Sequence, residues 1–196
     1  MSIERPILGV VTAEQFERGA RARTRAAILD AAAALWARDY SASFGAIAER
    51  ADVSRSTLHR YFPDRQALVD ALLLDSLPRL GAVADSVTPH DSPMDALEAY
   101  LRAGIEIGDR VIFLYSDPDR FDGNPNWPSD DYDDALTPLL DQARAAGAIA
   151  ADIPNAWATN LFYAVLYTAA EVSAGDLPRH VAADLAVRSF RRSVSG

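Results

Sequence analysis

The sequence predicts an all-α protein, with a helix-turn-helix unit within residues 1–65 and a larger helical body over residues 66–196. Three observations carry that prediction. Phe44, Ile47, Ala48 and Ala51 stand at i, i+3, i+4 and i+7, and Leu58, Tyr61 and Phe62 repeat the helical spacing after a short turn. Stretches of the same period fill most of the remaining chain, with no alternating strand pattern and no internal repeat. The charge changes sign near Arg65: residues 1–65 carry ten Arg and eight acids, a balance of +2, whereas residues 66–196 carry nine Arg and twenty acids, a balance of −11.

Residues 1 to about 20 have weak periodicity and read as an arm. Arg18, Arg21, Arg23 and Arg25 are either a minor-groove arm or a solvated charge cluster leading into the first helix. Thr24 to Tyr40 carries the stripe Ile28, Leu29, Ala32, Leu35 and Trp36, and its alanine run lets a neighbouring helix approach closely. Ser43 and Ser54 are N-caps for two short helices, and Pro63 marks where a third begins. That third helix should run through Leu77, with Leu68, Ala71, Leu72 and Leu74 inward, until Pro78 and Gly81 disturb it. Ser92-Pro93-Met94-Asp95 starts a long helix to about Ser116. Residues 117–134 read as a Pro-, Gly- and Asp-rich loop, and Tyr132 to Ala146 as a helix stopped by Gly147. Ala156 to Ala174 and Pro178 to Val194 complete the body.

With 49% hydrophobic and 24% charged residues the composition is that of a soluble globular protein. Zero cysteines exclude disulfides and thiolate metal sites. The apolar run Pro6 to Val11 is six residues long, below the ~7 to 15 of a signal core, and Glu14 and Glu17 soon follow. No secretion signal is read there, and a cytoplasmic location is expected. Ile153 to Ala170 is uncharged over 18 residues, but Pro154, Asn155, Thr159, Asn160 and Thr168 interrupt it, so a buried helix is expected and no membrane partner. The net charge of −9 opposes DNA binding as a whole, whereas the basic first third does not. An acidic body would be kept off the phosphates.

With Leu58 and Phe62 turned inward, the second short helix must turn Arg55, Ser56, His59 and Arg60 outward, the mixture of cations and hydrogen-bonding groups a major-groove helix needs. The segment also resembles the helix-turn-helix of the TetR family of one-component repressors, on Ile47-Ala48, Val53-Ser54, Thr57-Leu58, Tyr61-Phe62 and Ala67-Leu68. Glycines usual in that family are replaced by Asp39 and Asp52, both expected to need a left-handed backbone that Asp enters readily. The family's lysine appears as Arg65 and a tyrosine as His59. Motif position and exposure assign base-edge contacts to Arg55, Ser56 and Thr57, with Arg55 suited to guanine. Phosphate contacts go to Ser43, His59, Arg60, Tyr61 and Arg65.

The resemblance implies that the body is a ligand-binding and dimerisation domain. Aromatic residues concentrate there, and the candidates for an effector pocket are Phe113, Tyr115, Trp127, Trp157, Leu161, Tyr163 and Tyr167. The last two helices would pair with a second copy through Leu166, Ala170, Val181, Leu185 and Phe190. The loop 117–134 holds seven aspartates, but a calcium loop starting at Asp117 would place Phe121, Asp122 and Pro128 where a ligand, a glycine and a glutamate belong. No metal and no cofactor are expected. His59, His90 and His180 lie far apart, and no His-Glu-x-x-His, Gly-x-Ser-x-Gly or phosphate-loop pattern occurs, so an enzyme is not expected. The expectation is a sequence-specific transcriptional regulator: a repressor that binds a palindromic double-stranded operator as a homodimer and is released by a small molecule. The alternatives are a constitutive DNA-binding or architectural protein, or an all-helical enzyme.

Overall fold

The computed structural model describes residues 13–85, 92–127, 136–175 and 177–195, and every regular element among them is helical. The order is α1 (Ala13–Trp36), α2 (Phe44–Arg50), α3 (Arg55–Tyr61), α4 (Arg65–Asp85), α5 (Pro93–Glu106), α6 (Gly108–Tyr115), a 3₁₀ turn (Pro118–Phe121), α7 (Leu136–Ala145), α8 (Asn155–Ser173) and α9 (Arg179–Val194).

Helix α1 begins earlier than its apolar stripe. The segment from Ala13 to Gly19 holds no proline and several good helix formers, so the charged residues join the helix instead of forming a free arm. Arg21, Arg23 and Arg25 are exposed on its surface, and Arg25 lies 5.8 Å from the centre of the Phe62 ring. These arginines are thus surface residues of a helix, and residues 1–12 lie outside the described part.

The N-caps stand where the sequence marks them. Ser43 accepts from the Ala46 N–H at 3.2 Å and Ser54 from the Thr57 N–H at 3.1 Å, each satisfying an amide of the first turn. Between them α2 ends in two reversed bonds, Val53 N–H to the Ala48 carbonyl and Asp52 N–H to the Glu49 carbonyl, with Asp52 at φ 53. That closure requires a left-handed residue, and Asp52 is the one non-glycine with positive φ among the described residues. The parallel expectation for Asp39 is corrected. Its carboxylate accepts from the Ser41 hydroxyl at 2.6 Å and the Ser41 N–H at 2.8 Å, and this side-chain turn needs no left-handed backbone. The same two bonds hold the Asp39 carboxyl below the usual range.

Three other expectations change. The cap of α4 is Asp64, which accepts from the Ala67 N–H at 2.8 Å, and the helix runs through Pro78 to Asp85. Pro78 is exposed, so its ring meets solvent and the loss is one main-chain hydrogen bond. Leu74 is 51% exposed, because the packed face of α4 is set by Leu68, Val69, Leu72 and Leu73. The single helix expected from Pro93 to Ser116 is broken at Ile107, where ψ is 25°. Here α8 comes so close that a β-carbon on Gly104 would lie 2.9 Å from Leu166 Cδ1, and one on Gly108 2.9 Å from Ala170 Cβ. The two glycines let the α5–α6 corner rest on α8.

Two cores result. The body core gathers Leu97, Tyr100, Leu101, Leu140, Phe162, Leu166 and Phe190 from α5, α7, α8 and α9. The head core joins Ile28, Trp36, Ile47, Leu58, Phe62 and Leu72 to Phe113, Leu114 and Phe121, which come from α6 and the 3₁₀ turn. Helix α6 serves both, since Val111 points into the body core.

This packing corrects several site expectations. Phe113 is fully buried, 6.1 Å from the Trp36 ring and 5.5 Å from Phe121, so it packs in the head core and not in the body. Leu166, Ala170 and Phe190 are buried within the chain itself: the first two rest on Gly104 and Gly108, and Phe190 meets Phe162 edge-on at 5.5 Å. They cannot supply contact to a second copy. The outer faces of α8 and α9 instead present Trp157, 63% exposed, Tyr163, 40%, and Leu185, 39%. Trp157 and Tyr163 therefore lie on the outer surface and outside the body core. Leu161, Tyr167 and Val181 are half-buried.

Candidate nucleic-acid interface

Helix α3 is seven residues long and is anchored by Leu58 alone at full burial, with the C-cap residue Phe62 also buried. Anchoring one side leaves Arg55, Ser56, His59 and Arg60 exposed together, with Ser43 exposed at the start of α2. Ser54 draws the first turn together: its hydroxyl lies 2.9 Å from Ser56 Oγ and 3.0 Å from Thr57 Oγ1. Ser56 and half-buried Thr57 are thus held close to the α3 N-terminus, where main-chain N–H groups point outward. The Ser43 hydroxyl accepts one bond and retains its own proton for an anionic oxygen.

His59 is fixed from two sides. Its Nδ1 lies 3.3 Å from the Pro63 carbonyl and its ring 5.2 Å from Phe44, which directs Nε2 outward. Arg60 lies 5.9 Å from the centre of the half-buried Tyr61 ring and is otherwise solvent-facing. The phosphate contact expected of Arg65 is corrected. Its guanidinium donates to the Tyr40 carbonyl and, at 3.2 Å, to the Ala42 carbonyl, and it lies 4.6 Å from the Trp36 ring and 4.4 Å from Tyr40. The loop between α1 and α2 leaves those carbonyls without helical partners, and Arg65 supplies them.

A second set of charges ties this head to the body. Arg110, 8% exposed on α6, donates to Asp30 of α1 at 2.6 Å and to Asp75 of α4 at 2.9 Å, while Arg79 also holds Asp75 at 2.9 Å. Burial pushes the Asp75 carboxyl up, and hydrogen bonds from Arg110 and Arg79 more than offset it, leaving it below the usual carboxylate range. Arg38, in the turn after α1, adds a second tie to the Ala174 carbonyl at the end of α8, at 3.0 Å through Nε. Sequence reasoning missed these residues. The signal for Arg110 was present, a lone cation in the otherwise apolar Val-Ile-Phe-Leu helix.

The body offers a cavity of about 320 Å³ between the start of α5 at Ser92 and Asp95, Gly147, and Arg191 of α9. None of the aromatic pocket candidates lines it. Tyr115 and Trp127 meet edge-on at 6.1 Å and Trp127 stacks on Phe121 at 4.7 Å, the intervening segment carrying Asp117, Asp119 and Asp122, whereas residues 128–135 of the acidic loop lie outside the described part. Among the described residues no group of three or more His, Cys, Asp or Glu side chains could hold a metal ion, and no helix is long and apolar enough to cross a membrane.

Comparison with known proteins agrees with this geometry. The profile of the bacterial regulatory proteins of the tetR family matches residues 28–72, which span the C-terminal part of α1, all of α2 and α3, and the first turns of α4. The HTH-type transcriptional repressor LfrR of Mycolicibacterium smegmatis is 32% identical over 187 residues, 94% of this chain and 97% of LfrR. The chain belongs to the TetR family. A crystal structure of LfrR in complex with proflavine superposes with a TM-score of 0.69 at 31% identity, covering 91% of this chain and 99% of that one. This TetR-family chain also shares its fold with the ketosteroid regulator KstR2 of Mycobacterium tuberculosis, at a TM-score of 0.63 and 19% identity over 88% of this chain and 95% of KstR2. It is a helix-turn-helix transcriptional regulator.

Proposed function

We propose that this regulator is a cytoplasmic, non-enzymatic repressor that binds a palindromic operator as a homodimer and is released by a small molecule. The observation that carries the reading is α3, whose exposed Arg55, Ser56, His59 and Arg60 share one short face beside Ser43. Arg55, Ser56 and Thr57 read base edges, and Ser43, His59, Arg60 and Tyr61 hold phosphates. The uncovered face of α8 and α9, centred on Trp157, Tyr163 and Leu185 with Val181 beside them, pairs with the same face of a second copy. In that pair the two α3 helices reach half-sites about one turn of DNA apart.

The effector is an amphipathic organic cation. The balance of −11 over residues 66–196 and the aspartates that lie between Tyr115 and Trp127 in the sequence favour one, and LfrR is crystallised with proflavine. Tyr115, Trp127, Leu161 and Tyr167 remain the aromatic and apolar candidates for its contacts. A second reading, constitutive binding without an effector, is favoured by the filled body core, where Tyr100, Phe162 and Phe190 pack ring against ring.

Selection of genomic binding sites with purified protein tests the first part, and recovery of a short palindrome is expected. Salt-sensitive binding without sequence preference would overturn it. Titration with proflavine tests the second. Ligand must weaken operator binding by the factor by which operator weakens ligand binding, so equal proflavine affinity of free and DNA-bound protein would establish the constitutive reading.

A further inference from the structure

Gly45 lies in α2 and Arg55 opens α3, and the two meet. A β-carbon placed on Gly45 would stand 2.5 Å from Nη2, 2.9 Å from Cζ and 2.9 Å from Nε of Arg55, and these are its three nearest atoms. Ordinary contact between such atoms is about 3.5 Å or more. The volume that any other residue would give to its β-carbon is therefore occupied by the Arg55 guanidinium. Gly45 is helical and its φ is not positive, so backbone conformation does not call for glycine here. A glycine inside so short a helix costs stability, which directs attention to the space it leaves.

Among the described residues no other interaction fixes Arg55. Its side chain is exposed, and among the described residues no carboxylate or carbonyl accepts from it. The first turn of α2 is the positive end of that helix and repels a cation, so the guanidinium stays by packing on the bare backbone. Among the described residues nothing accepts from its five donors. A guanidinium that is located but not hydrogen-bonded is in the state that bidentate contact with guanine requires, because no bond must be broken first and little freedom is lost.

We infer that Gly45 is a specificity-determining residue of this regulator: by having no side chain it seats Arg55 against α2 and thereby sets which base pair Arg55 reads. The inference rests on the assignment of Arg55 to a base edge. The steric clash falls on the far end of a flexible side chain, so Gly45→Ala displaces Arg55 without disturbing the fold, and alanine is the better helix former.

The experiment compares the full-length parent protein, Gly45→Ala, Arg55→Ala and the double variant by binding-site selection, operator affinity at one fixed salt concentration, and thermal midpoint. Gly45→Ala is expected to keep or raise the midpoint and to bind the parent operator about tenfold more weakly, within the range that one bidentate base contact supplies. It should relax preference at one base pair per half-site, the pair that Arg55→Ala also relaxes, and the double variant should bind no more weakly than Arg55→Ala. If Arg55→Ala relaxes one pair while Gly45→Ala keeps the parent affinity and preference, or relaxes a different pair, the role of Gly45 is overturned and the reading by Arg55 stands. If Arg55→Ala relaxes no position, the assignment of Arg55 fails and the inference with it.

Discussion

Single residues divide into those that hold the head together and those left for a partner. Arg60 and Arg65 carry the same charge and opposite duties, since Arg65 has spent its donors on the Tyr40 and Ala42 carbonyls and Arg60 has not. Arg65→Ala should therefore lower stability by about 1–3 kcal/mol, seen as a lower urea midpoint, and leave the salt dependence of operator binding unchanged. Arg60→Ala should do the reverse, keeping the midpoint and reducing the slope of log affinity against log salt by about one. Asp52 gives a third outcome. At φ 53 it carries the strain of the left-handed region, so Asp52→Gly should raise stability by about 0.5 kcal/mol, the relief being partly offset by the freedom glycine regains on unfolding. Asp52 was legible because it stands where the turn of the family carries glycine, whereas the same reading failed at Asp39, whose turn the Ser41 bonds close instead. Arg65 was not, since its partners are main-chain oxygens more than twenty positions away, which no spacing rule reports.

At the level of helices, caps were legible and interruptions were not. Ser43, Ser54 and Gly147 act within a turn of their own position, so local chemistry reveals them. The corner at Ile107 and the passage of α4 through Pro78 depend on what lies across the fold, on α8 against Gly104 and Gly108 and on solvent against Pro78. The node at Arg110 joins α1, α4 and α6 and has its own pH signature. The Asp75 carboxyl is held below its ordinary value, so the stabilisation is complete above about pH 4 and is lost as pH falls through the lower value of the folded protein. Arg110→Met should remove that acid-labile part, flattening the urea midpoint between about pH 4 and the acid limit of the fold. At neutral pH it should cost about 2 kcal/mol, less than a fully buried pair, because Asp30 is 60% exposed.

For the whole molecule, the sequence reported composition and charge faithfully and misassigned faces. Periodicity places Leu166, Ala170 and Phe190 on apolar stripes, but a stripe does not say whether it faces its own core or a second copy. The answer lay in α5 and α6, which cover the inner faces and leave Trp157 outside. Trp157→Glu should therefore give a folded monomer by sedimentation, with the helical spectrum of the parent protein and operator affinity lowered at least tenfold by loss of the paired half-site.

The shared core has a consequence for building with this protein. Because Phe113, Leu114 and Phe121 complete the packing around Trp36, the head is not a portable module. A fragment cut after α4 would leave that seat of Trp36 open to water, and a chimera carrying this head on another body would inherit a mismatched joint. To move its DNA preference elsewhere, α6 and the 3₁₀ turn must travel with it.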